Sequence, residues 1–394
     1  MSELVEIEQS LHDFSISDSA EETPDRTATE QQFVYQTMLT CIGNKRKLIP
    51  HIRQIVSEIA DKLSKPRLNI VDAFSGSAVV SRALSFHSEK LHSNDLELYA
   101  YQMAHCYLKT PTEDDQIQIR HHITQMNRLA ETGPYVEGIV CRLYAPKKTD
   151  NVEPGERCFY TRENALILDT LRRYIEESVE PHLTTYCLVP LLNRASIHTN
   201  TAGVFKGFYK NEGIGCFGGS GRNALSRIMG PIRLDVPVWN NSGSFEAVCH
   251  NRDIVELVDE LPQDIDLMYL DPPYNQHPYG SNYFMLNVIS TNECPTEISR
   301  VSGIPTCWNK SAFNKRKSAF DSMQKLLRIG TEKSKYILLS YNNEGILETD
   351  DWKQLLEPYD AQKREIVYDT YKGSRNLKSR ENKVVEIMYI IKKK

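Results

Sequence analysis

The sequence Leu267-Met268-Tyr269-Leu270 is followed directly by Asp271-Pro272-Pro273-Tyr274. The apolar run predicts a buried strand that ends at the acid. The carboxylate and a neighbouring backbone carbonyl can accept hydrogen bonds from an exocyclic amine on a flat heterocycle. The prolines remove local freedom, and the tyrosine ring can stack on the heterocycle. A strand followed by Asp-Pro is also an ordinary strand end, but the whole motif favours a base-binding site.

Strands and helices alternate on both sides of this motif. Strands are predicted at 68–71, 91–94, 265–270 and 336–340, and helices at 44–63, 78–86 and 254–261. This order predicts an α/β protein with a Rossmann-like, doubly wound parallel sheet. The last two strand-like runs flank a basic turn and predict a closing antiparallel hairpin, formed by residues 364–371 and 383–391.

The alternation of strands and helices, where it is present and where it is interrupted, divides the 394 residues into four parts. Residues 1–32 hold nine acids and one arginine and few large apolar groups, so we expect an acidic, disordered tail. Residues 33–100 and 245–394 form the two parts of the α/β domain. Residues 101–244 form a large, mainly helical insertion, with a glycine-rich stretch near its end.

Composition limits the class of protein. The formal net charge is −5, and the chain behind the acidic tail is mildly basic, which is compatible with DNA contact without requiring it. The nine cysteines stand singly, which predicts a reducing compartment and neither a zinc site nor disulfides. No apolar run approaches the roughly 18 residues of a membrane span, so we expect no contact with a membrane. Because the cysteines are scattered, we also expect no metal.

Three further motifs follow predicted strands. The turn Asp72-Ala73-Phe74-Ser75-Gly76-Ser77 can bring backbone N–H groups close to a ligand, although it is neither a dinucleotide fingerprint nor a phosphate loop. Asp95 is placed to accept hydrogen bonds from ribose hydroxyls, or to act as a cap or turn acid. Asp253 precedes a predicted helix and is either its N-cap or an acceptor for an adenine ring. Together these motifs indicate a nucleoside-containing ligand at the carboxyl ends of the strands.

The order of these motifs matches a known family. Cys41-Ile42-Gly43-Asn44-Lys45, the turn 72–77, Asn94-Asp95 and Asp271-Pro272-Pro273-Tyr274 follow one another along the chain. The chain thereby resembles the alpha-ordered DNA adenine-N6 methyltransferases, which include restriction–modification and orphan adenine methylases. The resemblance covers about residues 35–100 and 245–391. It implies S-adenosylmethionine as cofactor, a flipped adenine in double-stranded DNA as substrate, and target recognition by the insertion 101–244.

The resemblance also implies roles for individual residues. It assigns seven residues to the cofactor: Gly43, Lys45, Asp72, Phe74, Gly76, Asp95 and Asp253. Gly43 and Lys45 are expected at its amino-acid end, Asp95 at the ribose and Asp253 at the adenine amine. Cys41 stands where the family commonly carries an aromatic residue, so Tyr35 or Tyr279 is expected to cover the methionine moiety.

Asp271, Pro272 and Tyr274 are the expected catalytic residues. An adenine amine is a weak nucleophile because its lone pair is delocalised into the ring. Hydrogen bonds from its two N–H groups to the Asp271 carboxylate and the Pro272 carbonyl favour a pyramidal nitrogen, so positioning and electrostatics supply most of the acceleration. The target must leave the duplex, and stacking on Tyr274 recovers part of that cost.

Basic and polar side chains of the insertion and of the last turn are expected to contact DNA: Arg194, Lys206, Lys210, Arg222, Asn223, Arg227, Lys372, Arg375 and Lys378. The alternative is a flexible surface loop with incidental charges. A cognate restriction endonuclease is a possible partner. The expected location is the cytoplasm, in association with the nucleoid, for a protein of prokaryotic or phage origin.

Other functions stay open at this point. Amine methylation of cytosine N4 or of RNA is the nearest alternative, and the acid that opens the Pro-Pro-Tyr motif favours adenine by resemblance. A DNA-binding module that has lost catalysis would not need Asp95, Asp271 and Tyr274. A dehydrogenase-like nucleotide binder would carry the dinucleotide fingerprint, which this chain lacks.

Overall fold

A seven-stranded sheet organises the protein. The computed structural model describes residues 24–36, 39, 45–219, 222, 224–240, 245–369 and 383–394. The strands of the sheet are β1 (Leu68–Asp72), β2 (Ser88–Asn94), β5 (Glu246–His250), β6 (Ile265–Leu270), β7 (Ser334–Asn342), β8 (Tyr359–Asp369) and β9 (Lys383–Lys393). Two short strands, β3 (Lys210–Asn211) and β4 (Ile214–Gly215), pair separately as an antiparallel ribbon.

Helices of the described part cover the sheet and build the insertion. They are α1 (Pro24–Tyr35), α2 (Ile49–Leu63), α3 (Val79–Leu84), α4 (Leu98–Leu108), α5 (Glu113–Thr132), α6 (Ile139–Tyr144), α7 (Arg162–Ser178), α8 (Thr184–Ile197), α9 (Leu225–Met229), α10 (Ile254–Glu260), α11 (Tyr279–Asn282), α12 (Phe284–Thr291), α13 (Arg316–Lys333) and α14 (Thr349–Leu356).

The strand order is β5-β2-β1-β6-β7-β9-β8. The first five strands run parallel to one another, and β9 runs antiparallel to both of its neighbours, β7 and β8. The predicted doubly wound α/β fold and its closing hairpin are therefore confirmed. Because parallel strands end at one edge, the chain leaves β1, β2, β5 and β6 on the same side of the sheet, which is where such folds bind ligands.

Apolar periodicity explains the elements that frame this edge. All six residues of β6 are buried, as expected for a central strand covered on both faces. The buried residues of α2 recur every three or four positions, at Ile52, Ile55, Val56 and Ile59. That helix ends where Ser64 adopts a left-handed conformation, with a φ of 53°.

The insertion shares its hydrophobic core with the sheet domain. It is mainly helical, as predicted, but the predicted boundary at residue 101 is wrong because it falls inside α4, which begins at Leu98. Met103 of α4, Leu188 of α8 and Leu286 of α12 belong to one buried cluster that also contains Ile52 of α2. The insertion is therefore packed continuously against the catalytic half of the molecule.

The predicted disordered tail ends earlier than residue 32. Helix α1 begins at Pro24, so its residues 24–32 were wrongly assigned to the tail, and residues 1–23 lie outside the described part. Phe33 is 1% exposed, and its carbonyl accepts a hydrogen bond from the buried guanidinium of Arg82. The Arg82 guanidinium also lies over the rings of Phe33 and Tyr107, which anchors α1 to the core.

Candidate active site

A cleft of about 980 Å³ lies at the carboxyl ends of the parallel strands. Its walls come from the turns after β1, β2, β5 and β6 and from the segment before α13. Five of the predicted cofactor residues line it, namely Lys45, Phe74, Gly76, Asp95 and Asp253. The three predicted catalytic residues line the same cleft, together with Tyr279. The sheet therefore brings together motifs that are far apart in the sequence.

The turn after β1 is held by its own protein contacts. Ser75 N donates to Asn94 O at 2.9 Å, and Gly76 N donates to Asp95 Oδ2 at 2.7 Å. Gly76 has a φ of +52°, which favours glycine. These two amides are used inside the protein, and contact of other backbone N–H groups of the turn with a ligand stays a prediction. Ser75 Oγ, by contrast, is buried beside the cleft and has no hydrogen-bond partner in the described part of the chain.

Asp72 is the last residue of β1. Its side chain is fully buried and accepts a hydrogen bond from Ser81 Oγ of α3 at 2.5 Å. Burial raises the pKa of Asp72 to about 7. Asp72 is absent from the cleft walls that the described residues form. Asp72 therefore connects β1 to α3, and its expected role in shaping the cofactor pocket stays a prediction.

Two acidic side chains that line the cleft, Asp95 and Glu97, follow β2, whereas the sequence predicted only Asp95 there. Both oxygens of Asp95 accept backbone hydrogen bonds, from Gly76 N and, at 2.9 Å, from Glu97 N. Glu97 also lines the cleft and is 4% exposed. Its Oε2 accepts bonds from the side-chain amides of Asn287 at 2.7 Å and Asn309 at 3.3 Å. No described residue donates to Glu97 Oε1, so this oxygen is open to a ligand.

Burial changes the protonation of both acids. It raises the pKa of Asp95 to about 6, against the effect of the two backbone donors. It raises the pKa of Glu97 to about 7, and the Asp95 charge adds to the rise while Asn287 opposes it. Sequence reasoning missed Glu97, although its position as an acid directly before the helix α4 and two residues after Asp95 was a usable signal.

Asp253 is the N-cap of α10. Its Oδ1 accepts a hydrogen bond from Val255 N at 2.9 Å. The side chain also lines the cleft, next to Ile254. Phe74 and Phe313 meet edge to face nearby, with ring centroids 5.3 Å apart, and supply an apolar wall for a flat ring. The capping role is thus observed, and the contact with an adenine amine stays a prediction.

Asp271 lies in the cleft directly after β6 and contacts Lys45. Lys45 Nζ is 2.8 Å from Asp271 Oδ1, and the side chain of Asp271 is 17% exposed. Burial raises the pKa of Asp271 to about 6, while the Lys45 charge lowers it. Lys45 therefore contacts the predicted catalytic acid, and its place at the cofactor's amino-acid end stays a prediction. No described residue donates to Asp271 Oδ2 or to the Pro272 carbonyl.

Tyr274 forms one side of the space beside Asp271. Its backbone carbonyl accepts a hydrogen bond from Ile346 N at 2.9 Å, and its ring meets Tyr341 edge to face at 6.4 Å. The Lys45 ammonium lies 5.8 Å from the centroid of the Tyr274 ring. An aromatic face, a carboxylate oxygen and a free carbonyl therefore converge on one space, which fits a planar ring that carries an amine.

Two of the predicted DNA-contact residues have structural roles. Arg194 Nη2 is 2.7 Å from Asp235 Oδ2. The Arg227 guanidinium donates to the backbone carbonyls of Ile197, Thr199 and Thr201. Arg227 thereby joins α9 to the end of α8 and the following loop, and Arg194 joins α8 to the segment after α9. Contact of either residue with DNA stays a prediction.

Lys206, Lys210 and Arg222 have exposed positions in the insertion. Lys206 Nζ is 3.0 Å from His277 Nδ1, just after the Asp-Pro-Pro-Tyr motif. Lys210 lies over the Phe208 ring at 5.0 Å, at the start of the β3–β4 ribbon. The remaining predicted residues lie outside the described part: Gly43, Asn223, Lys372, Arg375 and Lys378.

Other kinds of site find no support in the described residues. No group of three or more His, Cys, Asp or Glu side chains is arranged there to hold a metal ion. The cysteines of the same part of the chain are free thiols. None of the described helices is long and apolar enough to cross a membrane.

Comparison with known proteins agrees with this geometry. The family model described as D12 class N6 adenine-specific DNA methyltransferase matches residues 42–355. The type II methyltransferase M.CviAII of Paramecium bursaria Chlorella virus 1 is 28% identical over 355 residues, which cover 89% of this chain and 97% of that protein. The type II methyltransferase M.NlaIII of Neisseria lactamica is 26% identical over 89% of this chain and 98% of its own length. The modification methylase StsI of Streptococcus sanguinis is 27% identical over 90% of this chain but 52% of its own length.

Proposed function

Because the chain belongs to the D12 class of N6 adenine-specific DNA methyltransferases, we propose that Asp271, Pro272 and Tyr274 hold the flipped adenine for methyl transfer. The observation that carries this proposal is the convergence of an open carboxylate oxygen, an open carbonyl and an aromatic face at the end of β6. The family uses S-adenosylmethionine and acts on a base that has left the duplex.

The residues of the chain act on the adenine amine by accepting its hydrogens. Asp271 Oδ2 takes one N–H and the Pro272 carbonyl takes the other, which favours a pyramidal nitrogen with a localised lone pair. When bound, S-adenosylmethionine supplies a methyl group on a positively charged sulfur. No strong base is needed before transfer, and Asp271 or water accepts the proton that the methylated nitrogen then releases.

The cofactor fits the rest of the cleft by its donor and acceptor groups. We assign the ribose hydroxyls to Glu97 Oε1, supported by Asp95, which fixes the turn at Gly76. The adenine ring of the cofactor has an apolar wall in Phe74, Ile254 and Phe313 and an acceptor in Asp253. Ser75 Oγ supplies a further buried polar group without a partner in the described part.

Target recognition is proposed for the insertion, 101–244, through its exposed cations. Lys206, Lys210 and Arg222 remain candidates, and Lys206 lies beside His277 and thus close to the catalytic motif. Lys372, Arg375 and Lys378 are retained as proposed phosphate contacts. We further propose that the enzyme protects DNA from a cognate restriction endonuclease in the cytoplasm, at the nucleoid of a prokaryote or on phage DNA.

The reaction can be tested directly. Duplex DNA of mixed sequence is incubated with labelled S-adenosylmethionine and digested to nucleosides. We expect N6-methyladenine as the labelled product with the wild-type protein and none with Asp271→Ala. Label in N4-methylcytosine alone, or in RNA but not DNA, would contradict the assignment. Sequencing of DNA from expressing cells, with detection of modified adenines, then identifies the recognition sequence.

A further inference from the structure

A buried lysine joins the proposed catalytic acid to a second carboxylate on the closing hairpin. Lys45 is 3% exposed, and its Nζ lies 2.8 Å from Asp271 Oδ1 and 3.1 Å from Glu386 Oε1. Glu386 belongs to β9 and is 1% exposed. Ser340 of the adjacent strand β7 donates its hydroxyl to the same Glu386 oxygen. The register agrees, because Ser340 pairs with Met388 and Asn342 with Glu386.

Burying these groups is costly unless they neutralise one another. Burial alone would lower the pKa of Lys45, but Asp271 and Glu386 raise it well above its ordinary value, so Lys45 stays charged. Lys45 lowers the pKa of Asp271 and Glu386 raises it. Asp72 and Tyr269 are the other titratable groups whose charges couple to Asp271.

The second carboxylate changes the charge that the substrate meets. Asp271 and Lys45 alone would form a neutral pair, whereas Glu386 adds a second carboxylate beside the single ammonium group. As the adenine nitrogen forms its bond to carbon, it gains positive charge, which it loses when a proton leaves to Asp271 or water. A net negative group beside the nitrogen stabilises that developing charge more strongly in a buried site than in water.

We propose that Glu386 is a positioning residue for methyl transfer: it holds Lys45 against Asp271 Oδ1, leaves Oδ2 for the adenine amine, and gives the group its net negative charge. This inference rests on the role proposed for Asp271. It assigns a function to the closing hairpin, which thereby contributes to the active site from the opposite end of the sequence to Lys45.

Glu386→Gln tests the charge while keeping the shape and the acceptor for Ser340. We expect kcat to fall on the order of 10- to 100-fold, with the affinity for S-adenosylhomocysteine and the KM for DNA little changed. The acid limb of the kcat/KM profile should move to lower pH, because a negative neighbour of Asp271 is gone. Glu365→Gln is the matched control, since Glu365 lies on the paired strand β8 in an exposed ion pair with Lys363.

A double-substitution cycle separates positioning from a general loss of structure. Lys45→Met should move the acid limb to higher pH, the opposite direction to Glu386→Gln. Once Lys45 is replaced, adding Glu386→Gln should lower kcat by a smaller factor than it does in the wild-type protein, because the positioning of Lys45 is already lost and only the direct charge of Glu386 remains. An unchanged kcat and pH profile in Glu386→Gln would overturn the inference. The inference would also be overturned if Glu386→Gln lowered kcat together with thermal stability and cofactor binding while the acid limb of the pH profile stayed in place. If Asp271→Ala keeps its activity, the proposed function itself fails.

Discussion

Asp95 Oδ2 accepts a hydrogen bond from Gly76 N at 2.7 Å, which ties the turn after β1 to the end of β2. The other oxygen of Asp95 accepts from Glu97 N. An acid with both oxygens engaged by backbone donors shapes the loop that faces the cofactor. Glu97, whose Oε1 receives no bond from the described residues, is better placed to accept hydrogen bonds from a ligand.

Replacement of Glu97 should therefore weaken cofactor binding in a pH-dependent way. The pKa of Glu97 is raised to about 7, so the wild-type affinity for S-adenosylhomocysteine should increase as pH rises through 7 and the acceptor ionises. In Glu97→Gln the affinity should fall roughly 10-fold at pH 8, as for a lost charge-assisted hydrogen bond, and its dependence on pH around 7 should vanish. Calorimetric titration from pH 6 to 8.5 measures both effects.

Glu89→Gln is the control, because Glu89 is an exposed acid near the opposite end of the same strand. It should bind the cofactor like wild type at every pH. If Glu97→Gln and the wild-type protein bind S-adenosylhomocysteine equally at pH 8, Asp95 and not Glu97 would be the residue that binds the ribose.

The parts of the site that sequence reasoning could find are those fixed by local pattern. The apolar run of β6 and the acid after it place Asp271 at the edge of the sheet, and the strand β2 does the same for Asp95. Each of these strands carries its own local signal, although an acid after a buried strand can also serve as a cap or turn residue.

The parts that could not be found depend on contacts between distant segments. Arg227 resembles a DNA-contact residue in sequence, but its three carbonyl acceptors come from the segment 197–201. Lys45 and Glu386 stand 341 positions apart, and only the antiparallel placement of β9 beside β7 brings them together. An acid within the apolar run Val384 to Ile391 was the one local hint of Glu386.

The activity should depend on the ionisation of Asp271. Its pKa is raised to about 6, and the protonated acid loses the charge that holds the amine. We therefore expect kcat/KM for DNA, measured at saturating S-adenosylmethionine, to fall about 10-fold per pH unit below 6 and to be level above it. Asp271→Ala should reduce methyl transfer on the order of 10³-fold or more while binding S-adenosylhomocysteine normally.

The exposed Asp264, at the other end of the same strand, provides the comparison for Asp271. Asp264→Ala should keep both the rate and the acid limb. Turnover by Asp271→Ala at the wild-type rate would refute the assigned role.

Loss of the Tyr274 ring should penalise duplex DNA more than DNA whose target base is already displaced. Stacking on an aromatic ring is worth about 1–3 kcal/mol per base, which offsets part of the cost of leaving the duplex. Tyr274→Ala should therefore lower kcat/KM on a fully paired site more than on a site with an abasic residue opposite the target. Tyr274→Phe keeps the ring and should behave nearly as wild type. An equal loss on both substrates would argue against base capture by Tyr274.

Substitution of Arg227 and of Lys210 should have different effects, because the first side chain has a structural role and the second is proposed to bind DNA. Arg227→Ala leaves three carbonyls without a donor, so it should lower the free energy of unfolding on the order of 2 kcal/mol or more. Lys210→Ala should leave thermal unfolding unchanged, weaken binding to all DNA sequences, and reduce the slope of log K against log salt by about 1. Fluorescence anisotropy at several salt concentrations, beside thermal melting, measures both. A stable Arg227→Ala with a reduced salt slope would place Arg227 on the DNA surface.

Asp72→Asn distinguishes a residue behind the pocket from one in its wall. The pKa of Asp72 in the folded protein, about 7, lies above its ordinary value of 3.8, so ionisation destabilises the fold progressively as pH rises from about 4 through 7. The asparagine stays neutral and can still accept from Ser81, so the variant should melt above wild type at pH 8, by on the order of 1–3 kcal/mol in stability, and the advantage should shrink as pH falls from 7 towards 4. Its affinity for S-adenosylhomocysteine should match wild type, because Asp72 is separated from the cleft. A variant that is stable but no longer binds the cofactor would place Asp72 in the pocket wall after all.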